Sequence, residues 1–277
     1  MIKVFLLTGW GESSTNVLRR ISSQTPGCSG KWKNLVGTDS FSDADYYVVL
    51  ENTNVSTPID RTIYIKREPD FISPSSNLPY KHIIDFDVTN GGVTYWLDKT
   101  YDELKALTYP RKNKLISCIV SNKHSHRRKY IQDLFKYNPN IDMYGRGHDA
   151  SHYGDSYKGE LNYNGKCKFQ GLVDYAYSIV LENSAQKNYW TEKLADAYLA
   201  WCVPIYWGCP NIDDFFPKGS YRLLDFESRN PIKEITKVAT VPITNEEIEL
   251  LHTCRELILD EYNIWEVINK KIKEIND

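Results

Sequence analysis

Six apolar runs in this chain fail to alternate with polar residues: IKVFLLT at 2–8, YYVVL at 46–50, TIYIK at 62–66, LISCIV at 115–120, YSIVL at 177–181 and VPIYW at 203–207. A strand with one wet face alternates, whereas a nearly continuous apolar strand is covered on both faces, as in parallel sheets flanked by helices. Helical spacing intervenes where such layers need it, in STNVLRRIS at 14–22, TYDELKAL at 100–107, RRKYIQDLF at 127–135 and TEKLADAYLAW at 191–201. HIIDFDV at 82–88 and NIDMYG at 140–145 add shorter strands. The expected class is therefore α/β.

At 277 residues the chain can hold two domains of ordinary size. We place the division at Pro110, with residues 1–110 in a first α/β domain and 111–277 in a second that ends in C-terminal helices. From Thr244 the tail is helical, opened by the capping box Thr244-x-x-Glu247, and is long enough to cross back to the first domain. A polar, Gly- and Tyr-rich stretch from Arg146 to Gly165 reads as a long loop. No internal repeat or low-complexity tract stands out.

Composition narrows the function classes. A net charge of -2 argues against a surface built for nucleic acid or anionic lipid. The local exception is 111–130, which carries seven Lys or Arg and no acid; it suits phosphate groups or a solvated face. Twenty Tyr and 7 Trp suit sugar stacking, and equally an aromatic core. The six cysteines, at 28, 118, 167, 202, 209 and 254, show no zinc-type spacing, and Cys118 and Cys202 lie in apolar runs as reduced core residues do. No stretch approaches the roughly 20 apolar residues that span a bilayer. We expect no transmembrane segment, no nucleic-acid partner, and a cytoplasmic protein, at most peripheral at a membrane.

Chemistry concentrates in LENSAQKNYWTEKLADAYLAWCVPIYWG at 181–208, where a buried strand ends on Glu182-Asn183-Ser184 and a helix begins at Thr191-Glu192-Lys193. Ligands of open parallel sheets bind outside the carboxyl ends of strands, and the N–H groups at the next helix start attract anions. The helix dipole disfavours Lys193 there, which an anionic ligand would offset. An ordinary capped helix with a solvated lysine meets the same spacing.

The stretch 182–217, ENSAQKNYWTEKLADAYLAWCVPIYWGCPNIDDFFP, resembles the signature of the α1,3/4-fucosyltransferases, glycosyltransferase family 10: FENS, a spacer, YVTEK, a helix, then VPIYWG-x-P. Trp190 stands where the family usually has Val. The resemblance implies a GT-B fold, two Rossmann-like domains facing across a cleft, with an N-terminal acceptor domain and a C-terminal domain for GDP-fucose. It implies that Asn183 and Lys193 meet the diphosphate, Glu192 a sugar or ribose hydroxyl and Tyr189 the fucose-phosphate region, beside Glu182. SNKHSHRRKYIQDLF at 121–135 is similar to the family's diphosphate arginine segment, with Arg128 in that role and Arg127 one residue away. MYGRG, with Gly145 and Arg146, resembles the next strand end.

In the first domain TGWGES resembles the family's turn after the first strand, which implies Trp10 and Glu12 at the acceptor. IYIKREPDF resembles the segment carrying the catalytic base, so Glu68 before Pro69 takes that role, although the family's Ser is absent. Implied together are metal-independent, inverting transfer from GDP-fucose to an oligosaccharide acceptor, at the 3-hydroxyl of GlcNAc or glucose, with no cofactor and no metal ligand. Asp43-x-Asp45 and Asp85-x-Asp87 read as turn and strand-end residues, and His124 and His126 as polar surface. A GT-B transferase for another nucleotide sugar, or an inactive glycan- or GDP-binding module, carries the same phosphate residues.

Overall fold

The structure, a computed structural model, describes residues 1–69, 72, 78–85, 97–122, 129–132, 134, 141–161, 168–225, 235–237 and 239–277. It divides into two compact units, one made of Met1–Ala106, Gln186–Thr191 and Glu256–Asp277, the other of Leu107–Ala185 and Glu192–Arg255. Among the described residues no helix is long and apolar enough to cross a membrane.

The first unit is built on β1 (Ile2–Thr8), β2 (Lys31–Trp32), β3 (Leu35–Thr38), β4 (Tyr46–Leu50), β5 (Thr62–Ile65) and β6 (His82–Ile84). Their spatial order is β2-β3-β1-β4-β5-β6, parallel throughout except for the two-residue β2. Successive side chains point to opposite faces of a strand. Val4, Leu6, Val48, Leu50, Ile63 and Ile65 accordingly share one core, while Phe5, Leu7, Tyr47, Val49 and Tyr64 share the other. Both faces are covered, which is why the apolar runs do not alternate.

On the first face lie Val17 and Ile21 of the helix Ser14–Ser22, and Ile264, Trp265, Ile268 and Ile272 of the C-terminal helix Ile264–Asn276. The hydrophobic pull of each such buried side chain is about 1.5–3 kcal/mol. Polar bonds fix the register: Trp265 Nε1 donates to the Ile21 carbonyl at 3.0 Å and Asn263 Nδ2 to that of Gln24 at 2.7 Å.

The second unit carries β7 (Lys114–Ile119), β8 (Ile141–Tyr144), β9 (Tyr175–Leu181), β10 (Val203–Trp207) and β11 (Arg222–Leu223), all parallel, in the order β11-β10-β9-β7-β8. Counting parallel strands in chain order, both sheets run 2-1-3-4-5, one of the two common doubly wound orders. Pro204 is tolerated in β10 because β11 pairs only from Ile205 onward, so at Pro204 the strand has an open side.

The helix Glu192–Leu199 packs its Leu194, Ala197 and Tyr198 into the core and ends in a Schellman turn. Cys202 N–H reaches the Ala197 carbonyl at 2.9 Å and Trp201 N–H that of Tyr198 at 2.8 Å, with Trp201 left-handed at φ 61 where glycine is usual. Its indole holds that conformation, donating to the Leu107 carbonyl at 3.1 Å under the Arg255 guanidinium at 4.5 Å.

The Thr244 box forms as expected, Glu247 N–H to Thr244 Oγ1 at 3.1 Å and Thr244 N–H to Glu247 Oε2 at 2.9 Å. The tail is not one helix: Asn245–Glu256 passes through a π turn at Leu257–Glu261 before Asn263 caps the last helix. The 146–165 stretch contains two short turns of 3₁₀ helix, Ala150–His152 and Gly154–Ser156, and a bridge from Tyr157 to Met143. Cys118 and Cys202 are buried thiols, as expected.

Candidate functional site

In a 2-1-3-4-5 sheet the chain turns opposite ways from strands 1 and 3, and a crevice opens beyond their carboxyl ends. The switch point of the second unit lies between β7 and β9, that of the first between β1 and β4.

At the second unit's switch point β9 runs into Glu182, whose N–H extends the ladder to the Trp207 carbonyl at 3.0 Å. The Glu182 side chain is fully buried, and its Oε2 lies 3.4 Å from Lys193 Nζ, which is also 3.4 Å from Glu192 Oε1. The sequence pattern thus brings Glu182, Glu192 and Lys193 together. Two carboxylates, rather than a bound anion alone, offset the lysine at this helix start. Gly208 makes the burial of Glu182 possible, since a Cβ there would lie 2.5 Å from Glu182 Cγ and 2.6 Å from the Tyr206 hydroxyl. Asn183 is half-buried on the same turn. Tyr189 is buried and groups with the first unit, its N–H on the Gln186 carbonyl.

Beyond β7 and β8 the two strand ends are laced together. Val120 N–H donates to the Tyr144 carbonyl at 2.9 Å and Asn122 N–H to that of Arg146 at 3.2 Å. His148 Nε2 lies 2.9 Å from the Val120 carbonyl, which can only accept, so Nε2 carries a proton, while Nδ1 shares a hydrogen bond with the Tyr153 hydroxyl at 3.1 Å. Tyr157 donates to the Gly145 carbonyl at 3.0 Å. A Cβ on Gly145 would fall 1.6 Å from the Val120 oxygen, so this glycine is a close approach of two backbones. Arg128, Arg127, His124 and His126 lie outside the described residues.

Within the Glu192–Leu199 helix, Asp196 is buried with one oxygen on Lys168 Nζ at 2.9 Å. Its other oxygen has no hydrogen-bond partner among the described residues. Burial pushes this carboxyl up to about 6 against the pull of Lys168.

At the first unit's switch point Trp10 stands 45% exposed after β1, with the Arg67 guanidinium 4.6 Å over its ring. Glu12 is held by Arg20 in a two-pronged pair at 3.2 and 2.5 Å. Glu68 is half-buried two residues past the buried Lys66, which pairs with Asp85 at 3.5 Å. Glu51, after β4, accepts from the N–H groups of Arg67 at 2.6 Å and Glu68 at 3.2 Å. Asp45, of the first Asp-x-Asp pair, accepts from Lys3 N–H at 2.7 Å as a strand-end residue; Asp87 lies outside the described residues. Among the described residues no group of three or more His, Cys, Asp or Glu is gathered as a metal site.

Reading the sequence missed Glu51, Asn122, His148 and Asp196. For Glu51 a signal existed: Val-Leu-Glu-Asn occurs twice, at 49–52 and 180–183. Each copy closes the third strand of its 2-1-3-4-5 sheet, beside the switch point. The chain does contain this short repeat, too brief to see until the topology aligns it.

Comparison with known proteins adds to this geometry. Residues 109–240 match the model of the glycosyltransferase family 10 (fucosyltransferase) C-terminal region. The α-(1,3)-fucosyltransferase of Helicobacter pylori is 29% identical over 127 residues, covering 43% of this chain and 27% of that protein. The chain spans between 22% and 27% of the length of three such curated relatives. Among solved structures, that of an α1,3-fucosyltransferase matches with a TM-score of 0.55 at 18% identity, covering 100% of this chain and 89% of that one. A DNA-modifying β-glucosyltransferase matches with a TM-score of 0.58 at 9% identity over 100% of both chains. At such identities these two likenesses speak for the fold alone, two α/β units of the GT-B type with C-terminal helices. This chain thus has the fold of a GT-B glycosyltransferase, and its residues 109–240 match the C-terminal model of glycosyltransferase family 10, the fucosyltransferases.

Proposed function

We propose that the protein transfers L-fucose from GDP-β-L-fucose to a glycan hydroxyl, the 3-hydroxyl of a GlcNAc or glucose residue in an oligosaccharide, with inversion at the anomeric carbon. The observation that carries the reading is the fucosyltransferase match over 109–240, a range that includes the β7/β9 switch point with Glu182, Glu192 and Lys193. In this reading the second unit holds the donor and the first the acceptor.

Inversion in one displacement needs a base on the acceptor hydroxyl, opposite the leaving diphosphate. Glu68 takes that proton while the acceptor oxygen bonds to C1 and the bond from C1 to the diphosphate breaks. Charge grows on GDP as it leaves. Lys193, Arg128 and Asn183 meet it and stabilise the charge that develops in the transition state. At 3.4 Å its bonds to Glu182 and Glu192 are long for an ammonium, so Lys193 can turn toward a phosphate oxygen. Glu182 acts through Lys193, Glu192 takes a sugar or ribose hydroxyl, Tyr189 lies at the fucose-phosphate region and Gly145 lets the loop after β8 come close. Trp10 and Glu12 serve the acceptor.

The positive charge in this scheme comes from Lys193 and Arg128, and transfer is metal-independent. A cytoplasmic setting, at most peripheral at a membrane, is supported by five free cysteines among the described residues.

The test is transfer from GDP-fucose to N-acetyllactosamine, with the linkage read by NMR and a panel of GDP- and UDP-sugars alongside. Glu68→Gln lowers kcat by about a hundredfold to ten-thousandfold, the usual worth of a general base, while GDP-fucose affinity stays near normal. Full activity in that variant removes Glu68 from the mechanism, and preference for a UDP-sugar overturns the donor assignment.

A further inference from the structure

Glu51 adopts a backbone conformation that L-residues avoid, with φ at 68. The Leu50 carbonyl accepts from Asn52 N–H at 2.9 Å across it, making a γ-turn of the rare left-handed kind, and Glu51 N–H continues the ladder to the Ile65 carbonyl at 3.0 Å. Glycine or asparagine would suit that backbone better. The side chain explains the glutamate. One oxygen, Oε2, accepts from two successive amides, Arg67 at 2.6 Å and Glu68 at 3.2 Å, and Oε1 lies 3.4 Å from the Tyr64 hydroxyl. All three donors belong to β5 and the turn that follows it. A carboxylate thus pins the backbone on which Glu68 sits, and with it Arg67, whose guanidinium covers Trp10.

The second Val-Leu-Glu-Asn copy uses its glutamate in the same way. Glu182 ends the equivalent strand of the other sheet and directs its buried carboxylate at Lys193. In both units the acid beside the switch point holds a neighbouring functional group.

Resting on the reading that Glu68 is the base, we infer that Glu51 is its positioning residue. The Glu51 carboxylate fixes the Arg67–Glu68 backbone so that the base meets the acceptor hydroxyl. Glu51 does not carry the proton itself, because both of its oxygens face donors of the segment it holds.

Two variants of the full chain separate these roles. Glu51→Gly fits the left-handed backbone, so the fold is not strained, and deletes the carboxylate. Glu51→Gln keeps an oxygen for the two amides and offers its NH₂ to the Tyr64 oxygen. With GDP-fucose and N-acetyllactosamine as probes, Glu51→Gly lowers kcat by about a hundredfold, the usual effect of a misplacement near 1 Å, with KM for GDP-fucose within about twofold. Glu51→Gln stays within about fivefold of wild type, a single hydrogen bond's worth. Unchanged kcat in Glu51→Gly overturns the proposal, and so does Glu51→Gln as inactive as Glu51→Gly, which would make Glu51 the proton carrier.

Amide hydrogen exchange gives a readout apart from catalysis. Exchange at Arg67 and Glu68 accelerates at least tenfold in Glu51→Gly and not in Glu51→Gln, and unchanged exchange in both overturns the hold assigned to Glu51. A wild-type chain that transfers nothing, with exchange still accelerated in Glu51→Gly, refutes the transferase reading instead.

Discussion

Gly145→Ala tests whether the strand-end lacing in the second unit is as tight as its geometry implies. The new Cβ would sit 1.6 Å from the Val120 oxygen and 2.7 Å from its carbonyl carbon, where ordinary contact begins at 3.4 Å. Both obstacles are backbone, so no rotamer change relieves the clash. The ends of β7 and β8 must part, and three bonds span that gap: Val120 N–H to Tyr144, Asn122 N–H to Arg146, and His148 Nε2 to Val120. At about 1 kcal/mol net for each, their loss costs about 3 kcal/mol. Alanine returns about 0.4–1 kcal/mol by restricting the unfolded chain, which the strain of a side chain at φ 154 offsets, leaving a net loss of about 3 kcal/mol.

For a chain of this size such a loss lowers Tm by about 4–12 °C. Thermal unfolding followed by circular dichroism measures it, with a urea titration to check that the midpoint moves and the slope does not. Gly154→Ala is the control: Gly154 is left-handed at φ 53, yet nothing lies within 4 Å of a Cβ there. It isolates backbone strain, about 1–2 kcal/mol. If Gly145→Ala melts no lower than Gly154→Ala, the close approach at Val120 is not what this position requires, and the lacing argument fails.

Lys193→Ala weakens GDP affinity about tenfold to a hundredfold in calorimetric titration, the worth of one charge-assisted bond to phosphate, and unchanged affinity removes its phosphate role. Asp196 adds a pH dependence. Its carboxyl is raised from 3.8 to about 6, so the folded state holds the proton more tightly and stability falls as pH rises toward 6 and beyond. Between pH 5 and pH 7 that component is on the order of 1 kcal/mol, and Asp196→Asn removes it. Urea midpoints of the two proteins that stay parallel over this range refute the assignment.

Much of this molecule is written in short-range pattern. Unbroken apolar runs announce strands covered on both faces, and the two clusters of alternate residues around β1, β4 and β5 realise this. The Thr244–Glu247 box forms because its two bonds join residues three apart. Glu192 and Lys193 stand at a helix start for the same local reason, and YSIVL running into Glu182 marked the strand end beside them.

Long-range placement was not legible. Strand order, and with it the switch points, depends on which strands adjoin across tens of residues. Glu12 shows the limit: nothing in its motif tells that its carboxylate engages Arg20 on the following helix. Gly145 and Gly208 look like any loop glycines until the Val120 carbonyl and the Glu182 side chain are seen pressing on them. Glu51 reads as a polar residue after a strand until Arg67 and Glu68 fold back onto it. Periodicity and caps are settled within one or two turns of chain, and the residues alone reveal them. Close approaches, buried charges and the partner of each carboxylate are settled only when segments far apart in sequence share the same few ångströms.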